Sequence, residues 1–278
     1  MNRQNRDAEY TMGRTESETE RLIKQSHLYD DITRRFLLRC GIENGMHVLD
    51  IGSGAGDVAL ALADAVGQEG SVTGVDVNGD ILETAQQRAQ EAGHENVQFI
   101  AGDAREVNLP GGYDAIVGRL VLMYMGDPTE ALRQLKDLLR PNGTAAFQEV
   151  DFRPYNAFLH PSTPLTNNLI EWARSVFDRS GARLEMGREL YQTFVDAGLP
   201  EPVMHFEAPM GGSADWPGYD FVASSFRSLS PLLDSYGIVS PEELDVDTLA
   251  DRLRAEVGRS KRPFVLPPHI TAHARMKA

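Results

Sequence analysis

The sequence predicts an α/β protein with a doubly wound, mostly parallel, Rossmann-like sheet of seven strands. Two observations carry this prediction. Short apolar runs that are typical of buried strands alternate with segments of helical periodicity along the chain. The first apolar run ends in the glycine-rich segment 52–56, directly before a predicted helix. Parallel strands need crossover connections, and these are right-handed, so helices are expected on both faces of the sheet.

The predicted elements follow one another in the order that such a sheet requires. The strands are predicted at 45–52, 71–77, 97–101, 113–117, 144–150, 203–206 and a last one formed by 264–266 with 270–274. The helices are predicted at 17–40, 57–66, 80–92, 128–139, 169–177, 188–197 and 241–257. Gly41 is expected to end the first helix and Ser240 to cap the last one.

The order of elements divides the chain into four predicted segments. Residues 1–44 form a helical segment before the sheet, and 45–151 form the ligand-binding core. Residues 152–187 form an insertion above the site, after the fifth strand. Residues 188–278 complete the core and carry a second helical insertion at about 209–262, after the sixth strand. Ligands of open α/β sheets bind beyond the carboxyl ends of the strands.

Composition favours a small-molecule substrate. The formal net charge is −14, and the densest basic stretch, 258–262, is short. Nucleic acid and acidic membranes are therefore excluded as expected partners, because their binding needs a basic surface. The lone cysteine, Cys40, is expected to be a buried thiol, and the start of the chain lacks the apolar run of a signal peptide. A cytoplasmic location is expected, and a homo-oligomer is compatible with the sequence.

The glycine-rich segment lies between a predicted strand and a predicted helix. Gly52, Gly54 and Gly56 permit positive φ angles and a close approach of backbone amides to a ligand. A dinucleotide-binding loop is similar, but its third glycine falls one position later, where this chain has Asp57. The loop by itself therefore fits two kinds of adenosine-containing cofactor.

Two carboxylates narrow the choice of cofactor. Asp76 ends the second predicted strand, at about the spacing of 20 residues expected for an acid that binds ribose hydroxyls. This spacing suits a nicotinamide dinucleotide and an adenosyl compound alike. Asp103 ends the third predicted strand, where its carboxylate can accept a hydrogen bond from an adenine amino group, with the Ala104 amide next to it.

With these pieces the chain resembles the class I methyltransferases, in particular the ubiquinone-biosynthesis-like or type 11 family. The matching segments are 48–56, 74–76, 102–104, 113–117 and 139–143. They occur in the family order, and together they span about 45–150. The resemblance implies S-adenosylmethionine as the cofactor and a methyl transfer to a small molecule, with oxygen or carbon preferred over nitrogen.

The resemblance also implies roles for individual residues. Gly52 and Gly54 would pass beneath the methionine part, Asp50 would support the loop, and Gly118 with Arg119 would lie beside the sulfonium. Tyr10, Met12, Arg21 and Gln25 fall in 1–44, which resembles an N-terminal lid. The predicted cofactor-binding residues are Tyr10, Met12, Arg21, Gln25, Asp50, Gly52, Ser53, Gly54, Asp76, Val77, Asn78, Gly102, Asp103, Ala104, Gly118 and Arg119.

A hydroxyl or carbon acceptor can require a general base. The candidates are Tyr124 after the fourth strand, Glu149 at the end of the fifth strand and His160 in the first insertion. Each has a plainer alternative: packing for Tyr124, binding of backbone amides for Glu149 and solvation for His160. The aromatic residues of the two insertions could form an apolar roof over a small molecule: Phe152, Tyr155, Phe158, Trp172, Trp216, Tyr219 and Phe226.

Other functions remain open at this level. An NAD-dependent oxidoreductase would share the glycine loop and Asp76, although it would not need Asp103. A protein with the methyltransferase fold could also bind the cofactor without transferring a methyl group. No motif of a base-methylating DNA enzyme follows the fourth strand, and His and Cys do not cluster at metal-ligand spacing, so no metal site is predicted.

Overall fold

A computed structural model describes residues 7–8, 28–29, 31–152 and 163–277. The strands are β1 His47–Ile51, β2 Ser71–Asp76, β3 Val97–Ala101, β4 Tyr113–Arg119, β5 Leu139–Val150, β6 Val203–Glu207, β7 Met210–Gly211, β8 Phe264–Val265 and β9 His269–Arg275. The helices are α1 31–39, α2 Asp57–Val66, α3 Gly79–Glu91, α4 Pro128–Leu135, α5 Pro164–Ser180, α6 Met186–Asp196, α7 Gly218–Ser235, α8 Pro241–Leu244 and α9 Leu249–Ser260.

Seven strands form one sheet in the order β3-β2-β1-β4-β5-β9-β6. The neighbours among β1 to β5 pair in parallel, whereas β9 runs antiparallel to both β5 and β6. This confirms the predicted α/β fold with a mostly parallel seven-stranded sheet. Because the order reverses between β1 and β4, the carboxyl ends of these two strands flank the crevice in which ligands of such sheets bind.

Alternate residues of the central strands belong to two separate cores, one on each face of the sheet. Val48 and Val117 pack with α1 and α2, whereas Leu49, Ile116 and Phe147 face the helices on the opposite side. All five side chains are buried. Strands with apolar residues on both faces are typical of a parallel sheet covered by helices, which is why these strands read as continuous apolar runs in the sequence.

The prediction of the last strand was partly wrong. Segment 264–266 does not join the large sheet, because β8 pairs with β7 in a separate two-stranded ribbon. Pro267 and Pro268 separate β8 from β9. Proline has no amide hydrogen to donate to a ladder, so the two segments cannot continue as one central strand.

The bounds of two predicted helices also differ from the prediction. The helix predicted at 128–139 stops at Leu135, and β5 already begins at Leu139. The helix predicted at 241–257 is divided into α8 and α9, because Asp245 adopts a left-handed backbone conformation with φ of 42°. The cap predicted for this helix is confirmed, since the Ser240 hydroxyl accepts a hydrogen bond from the Glu243 amide.

The helices of the two predicted insertions pack on one another above the sheet. Helix α7 contacts both α5 and α9. Glu256 of α9 accepts a hydrogen bond from the Leu165 amide at 2.9 Å, which satisfies a free donor at the start of α5. The insertions therefore form one helical layer over the carboxyl ends of the strands. In the part of the chain that the structure describes, no helix is long and apolar enough to cross a lipid bilayer.

Candidate active site

A cavity of about 630 Å³ lies beyond the carboxyl ends of the parallel strands. Its inner wall is formed by the glycine loop after β1 and by the ends of β2, β3 and β4. Its outer wall is formed by α5, α7 and the segment from β8 to the start of β9. The cavity is thus bounded on one side by backbone and carboxylates and on the other by the helical layer.

The glycine loop requires residues without side chains. Gly52, Gly54 and Gly56 have φ angles of 67°, 51° and 87°, a region that other residues rarely adopt. A Cβ atom on Gly52 would also lie 2.7 Å from the Cγ2 atom of Val121. At Gly54 a Cβ atom would meet no atom within 4 Å, so the loop faces open space there. This is the shape of a backbone cradle for a ligand.

Asp76, at the end of β2, holds this loop in place. Its carboxylate accepts hydrogen bonds from the Gly54 amide at 2.9 Å and from the Asn78 amide at 2.8 Å. Each carboxylate oxygen has more than one lone pair, so both oxygens can also accept from ribose hydroxyls in the adjoining cavity. One side chain therefore couples the loop conformation to the part of the cavity where a ribose would lie.

Asp103, beyond the end of β3, is held by an ion pair. The Nε atom of Arg105 donates to Asp103 Oδ1 at 2.8 Å, and the guanidinium also binds Asp7. The Arg105 hydrogen bonds lower the pKa values of both aspartates, so both are ionised at neutral pH. Asp7 also accepts the Gly126 amide at 2.8 Å, so residues 7–8 lie at the rim of the cavity.

Of Asp50 and Arg119, only Arg119 lines the cavity. Asp50 is buried beneath the loop and does not line the cavity, and burial raises its pKa to about 8. Arg119 does line the cavity, but its guanidinium donates to the Thr33 hydroxyl at 2.9 Å and to Asp57 at 3.3 Å. Its side chain is therefore already engaged within the protein.

Most of the other predicted cofactor-binding residues surround the cavity. Those that line it are Gly52, Ser53, Gly54, Asp76, Val77, Asn78, Gly102, Asp103, Ala104 and Arg119. Gly118 lies behind the wall, and a Cβ atom there would be 2.6 Å from the ring of Phe147. Tyr10, Met12, Arg21 and Gln25 lie outside the described residues. The binding of cofactor by these residues stays a prediction.

The three candidate bases are separated in space. Tyr124 lines the cavity, next to the rim formed by residues 7–8. Glu149 is fully buried behind the cavity wall, where one carboxyl oxygen accepts hydrogen bonds from the amides of Val121 at 3.0 Å and Leu122 at 2.7 Å. The contacts of Glu149 are thus those of the alternative in which it binds backbone amides, and it does not line the cavity. His160 lies outside the described residues.

The outer wall of the cavity is apolar and rich in aromatic rings. Its side chains include Phe152, Leu169, Ile170, Ala173, Phe177, Phe221, Val222, Phe226, Leu229, Phe264 and Leu266. Of the aromatic residues expected to form a roof, Phe152 and Phe226 take part, whereas Trp172, Trp216 and Tyr219 pack outside the lining. Tyr155 and Phe158 lie outside the described residues.

Sequence reasoning missed several polar residues that line the cavity, among them Tyr29, Ser225 and His269. His269 is the first residue of β9, which pairs with Val150 at the carboxyl end of β5. Because β9 is antiparallel, its beginning lies at the edge of the sheet where the parallel strands end. The position of His269 at this edge follows from the direction of β9, which the sequence pattern does not determine. In the described ranges, no group of three or more His, Cys, Asp or Glu side chains is arranged to hold a metal ion.

A glycine cradle after β1, with carboxylates at the ends of the next two strands, defines the class I methyltransferase fold and site. The chain belongs to the methyltransferase domain family, whose sequence profile matches residues 42–198, more than half of its length. It is an S-adenosylmethionine-dependent methyltransferase that acts on small molecules. The resemblance seen in the sequence is thereby confirmed, and an oxidoreductase is not favoured.

Two characterised relatives and one solved structure illustrate the similarity. The chain is 30% identical over 164 residues to the aklanonic acid methyltransferase DauC of Streptomyces sp. (strain C5), covering 55% of this chain and 74% of that protein. It is 26% identical over 193 residues to the ubiquinone/menaquinone biosynthesis C-methyltransferase UbiE of Psychromonas ingrahamii, covering 68% and 74%. The [4+2]-cyclase SpnF shares the fold, with a TM-score of 0.57, 20% identity and coverage of 90% and 81%.

The residues present fit S-adenosylmethionine. The loop offers backbone at positions where a side chain would be strained, and the carboxylates of Asp76 and Asp103 line the same cavity. When bound, the cofactor supplies an electrophilic methyl group. Asp76 and Asp103 are the residues that would hold its ribose and adenine.

Proposed function

We propose that this enzyme methylates an apolar, ring-containing acceptor at oxygen or carbon. The observation that carries the proposal is the outer wall, which presents aromatic and aliphatic side chains over α5, α7 and the start of the C-terminal strand. The charged residues that line the cavity, Asp7, Asp57, Asp76, Asp80, Asp103, Arg105 and Arg119, all belong to the inner wall or to the rim.

The physics of burial favours such an acceptor. Each square ångström of apolar surface removed from water contributes about 25 cal/mol, and pairs of aromatic rings add about 0.5–1.5 kcal/mol. Phe152 and Phe177 lie with their ring centroids 5.3 Å apart, so they present a continuous aromatic surface to the cavity. A charged acceptor would lose its hydration against this wall without gaining an ion pair among the described residues.

The names of the relatives agree with this acceptor class. One relative is named for C-methylation in ubiquinone and menaquinone biosynthesis, and the other for methylation of aklanonic acid. These names support a ring-containing acceptor for this chain.

The enzyme's own residues act mainly by positioning and by excluding water. Holding two reactants in line converts a bimolecular step into one that is effectively intramolecular, which accounts for a large part of the barrier reduction. The helical layer closes the acceptor side of the cavity, and the glycine loop sets the position of the cofactor side. Tyr124 lines the cavity and is the candidate base in this proposal.

We test this proposal with the full chain saturated with S-adenosylmethionine. A panel of acceptors is incubated with the enzyme: naphthols and hydroxylated quinones on one side, and small amines, amino acids and phosphorylated alcohols on the other. The expected result is a methylated product from the ring compounds alone, detected by mass spectrometry. Methylation of charged acceptors alone would overturn the proposal. Cofactor binding without transfer to any acceptor would favour the alternative of a methyltransferase fold with another chemistry.

We also propose a cytoplasmic location and no nucleic-acid partner. Cys40 is a buried free thiol, which suits a reducing compartment, and the net charge of −14 opposes binding to phosphate backbones. Cell fractionation and a binding assay with double-stranded DNA at low salt test the two statements. Sedimentation of the purified chain tests whether it forms a homo-oligomer.

A further inference from the structure

We propose that His269 anchors the acceptor by accepting a hydrogen bond from a hydroxyl group on its ring. This inference rests on the proposed function and narrows the acceptor to a hydroxylated aromatic compound. His269 would thereby be the residue that selects for the hydroxyl, within a wall that otherwise selects for apolar rings.

The position of His269 suits this role. It lines the cavity at the start of β9, and only 2% of its surface is exposed to solvent. Its backbone partner in the sheet is Val150, which lines the cavity at the end of β5. Arg119, at the end of β4, lies close enough to affect its charge. The imidazole therefore stands near the strand ends where the two walls of the cavity meet.

The surroundings of His269 determine which ring nitrogen carries a proton. Its Nδ1 atom lies 3.3 Å from Oε1 of Gln148, a fully buried side chain. The Nε2 atom of Gln148 is in turn used as a donor to the Thr271 hydroxyl at 3.3 Å. In this orientation of the Gln148 amide, with its oxygen toward the imidazole, Nδ1 is the donor of the contact and Nε2 is the acceptor nitrogen of the ring. Nε2 keeps its lone pair and has no hydrogen-bond partner among the described residues.

The imidazole is held neutral and in a defined plane. Burial, together with the positive charge of Arg119, lowers the pKa of His269 to about 3, so the ring is neutral at neutral pH. The Tyr29 ring packs on it at a centroid distance of 4.3 Å, and Phe221 contacts Tyr29 edge-on at 5.6 Å. All three residues line the cavity, so the imidazole is part of an aromatic surface there.

Ser225 of α7 also lines the cavity, and its hydroxyl donates to the Phe221 carbonyl at 2.9 Å, so its proton is not offered to a ligand. A ring that enters the outer part of the cavity therefore finds apolar contacts from α5 and α7 and an imidazole acceptor from β9. A hydroxyl satisfies that acceptor, whereas a hydrogen or a methoxy group in its place leaves it without a donor.

The test compares two ligands that differ by one hydroxyl. Dissociation constants of 2-naphthol and naphthalene are measured by calorimetry on the full chain saturated with S-adenosylhomocysteine. The wild type should bind 2-naphthol more tightly than naphthalene. In His269→Leu this affinity ratio should be about fivefold to tenfold smaller than in wild type, which is the effect of one hydrogen bond. His269→Gln, which can place an amide oxygen near the same point, should keep the ratio within about twofold of wild type. His273→Leu, on the same strand but outside the cavity lining, is the matched control and should leave it unchanged.

A second measurement uses only wild-type protein, so it does not depend on whether a variant folds. In wild-type protein with ¹⁵N-labelled histidine, 2-naphthol should shift the Nε2 resonance of His269, and naphthalene should not. An unchanged ratio in His269→Leu, or an unchanged Nε2 resonance with 2-naphthol bound, would overturn the inference while the proposed function stands. Failure of both ligands to bind the wild type would overturn the proposed aromatic acceptor, and the inference with it.

Discussion

Replacement of Asp76 by asparagine is the sharpest test of the cofactor site. The Asp76 carboxylate accepts the amides of Gly54 and Asn78 and faces the cavity at the end of β2. Asparagine keeps one oxygen, but its amide nitrogen must then face a backbone amide hydrogen or a ribose hydroxyl. The variant therefore loses a charged acceptor in both the free and the bound protein.

The magnitude follows from the hydrogen bonds that are lost. A hydrogen bond to a charged group contributes about 1.5–3 kcal/mol, and a buried donor left without its partner costs a similar amount. If one ribose bond of this kind is lost on top of the loop contacts, S-adenosylhomocysteine should bind about tenfold to a hundredfold more weakly. Loss of the loop contacts alone should appear as a lower melting temperature of the free protein.

Calorimetry separates these two effects. The dissociation constants of S-adenosylhomocysteine and of its 2′-deoxyribose analogue are measured for wild type and for Asp76→Asn, as a double-mutant cycle. The wild type should distinguish the two ligands and the variant should not. Asp64→Asn, which changes a half-exposed carboxylate on α2, is the control and should behave as wild type. If Asp76→Asn distinguishes the two ligands as well as wild type does, Asp76 does not bind the ribose.

Three further predictions concern the buried acid, the loop and the outer wall. Burial raises the pKa of Glu149 from 4.5 to about 8, so its neutral form is favoured by folding, and stability should fall as pH rises from about 5 to about 8, by up to about 1.4 kcal/mol per pH unit. Glu149→Gln should reduce the dependence of the free energy of unfolding on pH, measured by urea unfolding at pH 5, 6.5 and 8. An equal pH dependence in wild type and variant would contradict the raised pKa of Glu149. Gly52→Ala places a Cβ atom 2.7 Å from Val121 Cγ2 at a φ of 67°, so it should lower the melting temperature and weaken S-adenosylhomocysteine binding at least about tenfold. Gly41 has a similar φ, and a Cβ atom there would meet no atom within 4 Å, so Gly41→Ala is the control. An equal loss of cofactor affinity in Gly41→Ala would show that the loss does not come from the glycine loop. Phe177→Ala should weaken 2-naphthol about tenfold and leave S-adenosylhomocysteine binding within about twofold, because the ring lies on the acceptor side; equal losses for both ligands would refute that division.

The central strands were predictable because their local signals agree with the global fold. The apolar runs that became β1, β2 and β4 are buried on both faces, and the turns between the strands carry glycine, proline or asparagine. Asp76 and Asp103 follow β2 and β3 directly, so knowing that the strands are parallel is enough to place both carboxylates at one edge of the sheet. The cofactor half of the cavity therefore follows from local order along the chain.

The C-terminal part was less predictable because its structure depends on distant contacts. Segment 264–266 and the start of β9 read as one strand, but prolines separate them, and they pair with different partners. The helix pattern at 241–257 continues across Asp245, where a left-handed residue ends α8. Periodicity detects apolar faces, and it is insensitive to a single residue that changes the direction of the chain.

The sequence by itself determined the α/β fold, the methyltransferase family and the edge of the sheet where the cofactor carboxylates lie. These depend on residues within a few positions of each strand end, so local order is sufficient. Only the tertiary structure decided which polar groups line the cavity. Glu149 lies behind the cavity wall, where its carboxyl group accepts the amides of Val121 and Leu122. His269 lies in the wall because β9 runs antiparallel to β5. Both outcomes join residues far apart in the chain, through strand direction and burial that sequence spacing does not specify.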